Sequence, residues 1–221
     1  MMKKSKRSDV DPFIVMDVME SARIAEEKGK DIIHMEVGQP GTPAPKIAKD
    51  YITNEINKNN LGYTVSLGLP ALRTKISKLY GDWYNLDLNP NRIVVTTGSS
   101  GAFILSFSAL FDSGDRVGIG SPSYPSYRQI LKSLSLETVD IQTKLQNRFQ
   151  PVPEDITNNN LNGILVASPA NPTGSMLDKQ SLENLINTAN ENNVSFISDE
   201  IYHGIQYENN PTSALEITDN C

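Results

Sequence analysis

The feature that most constrains this chain is a series of short strand-like runs, each followed by a loop and then an amphipathic stretch. RIVVT (92–96), RVGI (116–119), ETVDI (137–141), GILVAS (163–168) and VSFIS (194–198) are rich in apolar and β-branched residues and read as buried strands. Between them, apolar residues recur at helical spacing. Leu72, Ile76, Leu79 and Trp83 mark one such face, Tyr127, Ile130, Leu131 and Leu134 a second, and Leu182, Leu185, Ile186 and Ala189 a third. GSSGAFILSFSALF opens a further, largely apolar helix after 96. Strands alternating with helices predict an α/β domain: a mostly parallel sheet with helices on both faces, joined by right-handed crossovers. In such a sheet, ligands sit outside the carboxyl ends of the strands. The residues just after 96, 119, 168 and 198 are therefore where chemistry is to be sought.

The 221 residues suffice for one sizeable domain, or one domain and part of a second. Residues 11–29 read as a helix with Asp11 as N-cap, Pro12 in the first helical position and Gly29 at the end. The loop from Gly38 to Pro45 carries Pro and Gly in close succession and marks a boundary. Residues 1–45 are expected to form a small N-terminal element and 46–221 the main domain. Within the latter, 46–57 reads as a helix and 59–68 as an irregular loop.

Charge and cysteine usage exclude several classes of function. A formal net charge of -6 argues against a protein that tracks nucleic-acid phosphates. The single Cys, Cys221, rules out an internal disulfide framework, and with only His34 and His203 beside it no metal site of the usual His/Cys kind is expected. No run approaches the roughly 20 apolar residues that cross a bilayer. The basic start MMKKSKRSD is followed by a segment carrying Asp17 and Glu20, unlike a secretory signal, so a cytoplasmic protein without membrane attachment is expected.

At the strand ends stand residues with chemical potential. TGSSGA (97–102) places Gly98 at a tight turn and the hydroxyls of Ser99 and Ser100 at a helix start, where exposed N–H groups favour an anion; an ordinary serine-capped helix is the alternative. The stretch lacks the fifth-position Gly of a nucleophile elbow and the Gly-Lys-Ser/Thr of a Walker loop. GIGSPS (118–123) approaches a dinucleotide fingerprint but has Ser123 in the last position. PSYPSY (122–127) presents Tyr124, whose ring can lie on a planar ligand or pack in the core. In SPANPTG (168–174) two prolines frame Asn171, leaving its amide available to a ligand. VSFIS runs into Asp199-Glu200-Ile201-Tyr202-His203, and a carboxylate at the end of a buried strand costs several kcal/mol unless a cation pairs with it. His203 by itself reads as an ordinary polar residue.

In this order the motifs resemble those of the class I/II aminotransferases, enzymes of pyridoxal 5′-phosphate with the aspartate-aminotransferase-like fold (fold type I). The resemblance runs from about Met35 to His203. It implies that Gly38 of VGQPG approaches the substrate carboxylate. Tyr63 of GYTVSLGLPALR would reach the cofactor phosphate of a neighbouring subunit, so a homodimer is implied. TTGSSGA is similar to the phosphate-binding turn, with Ser99 and Ser100 as donors, and Tyr124 of GDRVGIGSPSYPSY falls where the family stacks an aromatic on the pyridine ring. Asn171 of SPANPTG and Tyr202 of SDEIYH would bond the ring's 3′ oxygen, and Asp199 would pair with the ring nitrogen. Asp199, Tyr202 and Asn171 are thus the implied catalytic set, and an amino acid and a 2-oxo acid the implied substrates.

One departure stands out. The family's Schiff-base lysine lies downstream of the D-E-x-Y motif, and no residue after His203 is Lys. Ser77-Lys78 has a suitable dipeptide, but inside a predicted amphipathic helix ahead of the phosphate turn. The chain is accordingly expected to be the N-terminal portion of a longer enzyme and inactive by itself. Carbon–sulfur lyases of the same fold and a non-catalytic fragment are the alternatives; a nucleotide-dependent oxidoreductase rests only on the defective GIGSPS.

Overall fold

The computed structural model describes residues 2–39, 41–207 and 209–221. Pro40, within the expected boundary loop, lies outside them. The chain forms two compact units, residues 12–69 and residues 1–11 together with 70–221.

In the first unit, α1 (Ile14–Glu27) begins later than its N-cap signal suggests. Its N-cap is Phe13, whose ψ of 90° keeps it outside the helical region, so the chain becomes helical only beyond that residue. Asp11 instead lies in the other unit, 3.6 Å from Lys132 Nζ. Gly29 ends the helix as expected, with a φ of 81° that a Cβ would disfavour. α2 (Lys46–Ile56) follows Pro45, and 59–68 is irregular.

An ion cluster joins the end of α1 to the following segment. His34 Nδ1 lies 2.6 Å from Glu36 Oε1, and its Nε2 lies 2.9 Å from Glu26 Oε1. With two carboxylates accepting from it, the ring holds its proton more firmly: the hydrogen bond to Glu36 and then that to Glu26 push its pKa up to about 9. The folded pKa thus exceeds the unfolded value of about 6.5. The cluster's stabilisation is complete below the unfolded value and disappears as pH rises through about 9. An NMR titration should place the His34 midpoint near 9; a midpoint near the unperturbed value would show that the cluster does not hold the proton in solution.

The larger unit is built on a sheet. α3 (Pro70–Tyr84) leads in, then α4 (Gly98–Leu110), β1 (Arg116–Ser121), α5 (Pro125–Ser133), β2 (Glu137–Gln142), α6 (Pro153–Asn158), β3 (Gly163–Ala167), α7 (Lys179–Glu191) and β4 (Ser195–Asp199). The strands pair in the order β2-β1-β3-β4, all parallel, so the expected fold class is observed. In β3, Ile164 and Val166 point to one face and Leu165 to the other, as strand periodicity requires. On the first face they pack with Leu182, Leu185, Ile186 and Ala189 of α7 and Ile156 of α6. On the second, Leu165 joins Val117, Ile119, Phe103, Phe107, Tyr127 and Leu131 of β1, α4 and α5.

Two expectations are corrected here. Residues 92–96 are not a buried strand. Arg92 closes a 3-10 turn (Pro90–Arg92), Ile93 is extended, but neither edge strand, β2 nor β4, bonds to the segment and Val94 is half exposed. Extended backbone becomes a strand only against a neighbour that completes its ladder. The apolar face of α3 is not buried either, since Leu72, Leu79 and Trp83 all remain exposed. The one buried residue of α3 is Arg73, whose Nε donates to Pro90 O and Ile93 O, both at 2.9 Å, and whose Nη2 donates to Pro90 O at 2.6 Å. A charged side chain fastens α3 to the 90–93 turn, and the hydrophobic pattern gives no sign of it. α6, which follows Pro151-Val152, has no apolar periodicity to predict it and is set by Asp155 accepting from Val152 N at 2.8 Å.

Candidate active site

The loops after β3 and β4 emerge side by side because those strands pair in register, Ala167 opposite Asp199. The pairing continues one step beyond β3, where Ser168 N donates to Asp199 O at 3.2 Å. From this edge project three of the predicted site residues, Asn171, Asp199 and Tyr202.

Asp199 ends β4 and is 7% exposed. Its Oδ1 accepts from Ile201 N at 3.1 Å and its Oδ2 from the Tyr127 hydroxyl at 2.5 Å. Among the described residues no cation pairs with it. Burial, followed by the negative charge of Asp199, raises the Tyr127 phenol well above its ordinary pKa, so it stays a donor and holds the carboxylate as an acceptor. Glu200, the next residue, points to the opposite side, as alternation dictates, and accepts from Ser198 Oγ, Ser213 Oγ and Ala214 N. The two acids of SDEIYH therefore do different work: Asp199 faces the site, and Glu200 fastens the 213–216 turn.

Asn171 Nδ2 donates to Tyr202 Oη at 3.2 Å, joining the loop after β3 to that after β4. The Tyr127 hydroxyl's bond to Asp199 and its ring contact with Tyr124 gather these three side chains into one cluster. The Tyr124 ring, at the N-cap of α5, meets that of Tyr127 edge-on with centroids 5.5 Å apart. Phe103 of α4 packs edge-on against the other side of Tyr127 at 5.2 Å. Ser99 and Ser100 stand four and three residues before Phe103, hence on the same helix face one turn nearer the N-terminus. Thr97 gives α4 no side-chain cap, and Gly98 takes a φ of 72° to start it. Of the first-turn N–H groups, that of Gly98 donates to Thr96 O at 2.9 Å and Thr97 caps none of the others, an arrangement that suits a bound anion.

Gly38 and Tyr63 belong to the other compact unit, where the Tyr63 side chain is fully exposed and nothing lies within 4 Å of where a Gly38 Cβ would stand. Tyr127 is the site residue that sequence reasoning missed. Its helical spacing marks it as core, which it is, but its hydroxyl also serves Asp199. The signal was the Tyr124-x-x-Tyr127 spacing, which sets one phenol at the N-cap of α5 and the other in its first turn. A cavity of about 270 Å³ lined by Leu86, Arg92 and Asp219 among others includes none of these residues. No group of three or more metal-ligating side chains and no helix long and apolar enough to cross a membrane occur among the described residues.

The family model "Aminotransferase class I and II" matches residues 30–219, and the chain belongs to that family. It is 40% identical to valine–pyruvate aminotransferase of Mycobacterium tuberculosis, covering 94% of this chain and 54% of that protein. It is 35% identical to (5-formylfuran-3-yl)methyl phosphate transaminase of Methanocaldococcus jannaschii, over 94% of this chain and 54% of that protein. A Silicibacter pomeroyi protein assigned as an aminotransferase superimposes with a TM-score of 0.90 at 58% identity, over all of this chain and 57% of its own. The chain spans about half the length of these relatives.

Proposed function

We propose that this chain forms the pyridoxal 5′-phosphate cradle of an aminotransferase that moves an amino group between an amino acid and a 2-oxo acid. The observation that carries the reading is Asp199: a buried carboxylate, fixed by Tyr127 and Ile201 N, whose cation is not among the described residues. A protonated ring nitrogen meets that need. When bound, the cofactor supplies an electron-withdrawing ring that accepts electron density from the substrate's α-carbon.

The chain's own residues would act as follows. Asp199 holds the proton at the ring nitrogen, and Tyr127 keeps Asp199 in place. Asn171 and Tyr202 present their donors to the 3′ oxygen, Tyr124 lies against the ring, and Ser99 and Ser100 with the first turn of α4 hold the phosphate. In a homodimer, Tyr63 would reach the phosphate in the neighbouring subunit and Gly38 would line the substrate carboxylate site. Residues 1–45 would belong to a small domain that completes the site, and 46–221 to the large one.

The relatives' names share amino transfer but not substrate, so the amino donor is left open. The test uses two polypeptides, the 221 residues alone and a chain that continues them through the Schiff-base lysine. Both are expected to bind pyridoxamine 5′-phosphate, and only the longer one to convert a 2-oxo acid into an amino acid. Failure of both to bind the probe would overturn the reading. Elimination from a sulfur amino acid without amino transfer would replace it with a lyase.

A further inference from the structure

His203 reads from sequence as an ordinary polar residue, yet in the fold its side chain is only 5% exposed and both ring nitrogens are engaged. Nε2 lies 2.9 Å from Ser168 O, and Nδ1 lies 2.6 Å from the hydroxyl of Tyr84, the last residue of α3. The Tyr84 ring packs against the imidazole with centroids 5.8 Å apart.

The chemistry of the partners settles which atom donates. A carbonyl oxygen only accepts, so Nε2 carries the proton and donates to Ser168 O. In the neutral ring Nδ1 is then the acceptor, and the Tyr84 hydroxyl donates to it. Burial raises the Tyr84 phenol above its ordinary pKa, which keeps that proton in place. The nearest carboxylate, Glu200 Oε2, is 3.8 Å from Nδ1 and already accepts from Ser213 Oγ at 2.9 Å.

What His203 grips matters more than the bonds themselves. The Ser168 carbonyl is the first beyond β3, past the last rung to Asp199, and Ser168 stands three residues before Asn171. His203 directly follows Tyr202. The Nε2–H bond therefore ties the root of the Asn171 loop to the segment carrying Tyr202, and those are the two side chains that meet at 3.2 Å.

We propose that His203, protonated at Nε2, is a positioning residue that sets the spacing between Asn171 and Tyr202, with Tyr84 fixing its tautomer. The inference rests on the reading that these two residues face the 3′ oxygen of the cofactor.

The test compares wild type with His203→Gln and His203→Asn in the polypeptide that continues through the Schiff-base lysine. A Gln amide reaches the place of Nε2 and can still donate to Ser168 O; an Asn amide reaches only the place of Nδ1. Two readouts are taken: the imidazole ¹⁵N shifts of the cofactor-free wild type, and the Kd for pyridoxamine 5′-phosphate with the absorption maximum of the bound probe. The shifts should show a protonated Nε2 and a bare Nδ1. Loss of one hydrogen bond should weaken probe binding about tenfold in the Asn variant and shift its absorption, with the Gln variant within about threefold of wild type. Equal affinities and spectra in all three proteins, or a protonated Nδ1 with a bare Nε2, would overturn the positioning role. If wild type itself does not bind the probe, the cofactor reading fails instead, while the tautomer remains measurable.

Discussion

Replacing Asp199 by Asn is expected to slow amino transfer at least about a hundredfold, in the range seen when one preorganised electrostatic group is removed from an active site. The comparison is made in the polypeptide that continues through the Schiff-base lysine. Asn has nearly the size of Asp and its amide oxygen can still accept from the Tyr127 hydroxyl, but its NH2 then stands where an oxygen accepts from Ile201 N, so that one hydrogen bond is given up. What disappears is the negative charge that, in the proposed reading, would hold a proton at the ring nitrogen. Probe binding should change far less than rate, because in the proposed reading the phosphate would be held elsewhere, at the first turn of α4. A second consequence separates this role from a structural one. Without cofactor the wild-type carboxylate is buried with no cation among the described residues, a state that costs free energy. Removing the charge offsets the hydrogen bond lost at Ile201 N, so the cofactor-free Asn variant should melt close to wild type. Turnover within about threefold of wild type, or a cofactor-free variant that melts far below wild type, would contradict the assignment.

Part of this site was legible because parallel sheets put their functional residues in one kind of place. Asp199, Asn171, Tyr124 and the Ser99-Ser100 turn all follow strand-like runs or open helices, and short motifs locate them. Two features of the site and one of the fold were not legible in that way. Tyr127 satisfies the apolar periodicity of α5, and periodicity reports where a ring goes but not what its hydroxyl does. His203 has no local pattern, because its partners, Tyr84 and Ser168, are 119 and 35 residues away in sequence. Arg73 is buried where a helical wheel would expose it, because carbonyls of the 90–93 turn satisfy its N–H groups.

The fold shows the same division between local and long-range information. The spacing of Leu182, Leu185, Ile186 and Ala189 does mark the buried face of α7, a helix that Asp178 caps by accepting from Ser181 N. The 92–96 run has the composition of a strand but not its partner, and composition cannot supply one. α3 has the spacing of an amphipathic helix, yet its apolar side is exposed among the described residues. In both cases the local signal states what a segment is suited to, and the outcome depends on what lies beside it.

Gly163 carries the other large expected effect, and it too depends on a distant neighbour. It begins β3, between Val117 of β1 and Ser195 of β4, in the middle of the sheet. A Cβ built there would stand 2.2 Å from Cζ and 2.6 Å from Cε1 of Phe111, far inside van der Waals contact. Phe111 follows α4 and packs on the fully buried Phe107, with ring centroids 6.2 Å apart. The backbone of β3 is fixed by ladders on both sides, so the ring has to move, and its packing on Phe107 is lost. Gly163→Ala should therefore cost about 2–3 kcal/mol, in the range of overpacked cores. In a chain of this size that corresponds to a melting temperature lower by roughly 5–10 °C. Gly118→Ala meets the ends of Leu161 and Ile141 at 2.8 and 3.0 Å, contacts that are less severe and made with more pliable side chains, so its cost should be smaller. The cause is isolated by a double-mutant cycle with Phe111→Ala. Once the ring is gone, the added methyl has room, and Gly163→Ala should cost about 1 kcal/mol less in the Phe111→Ala background than in wild type. If the two costs instead add within about 0.5 kcal/mol, the effect of Gly163 does not arise from the ring, and the close approach of β3 to the end of α4 is not what fixes this position as glycine.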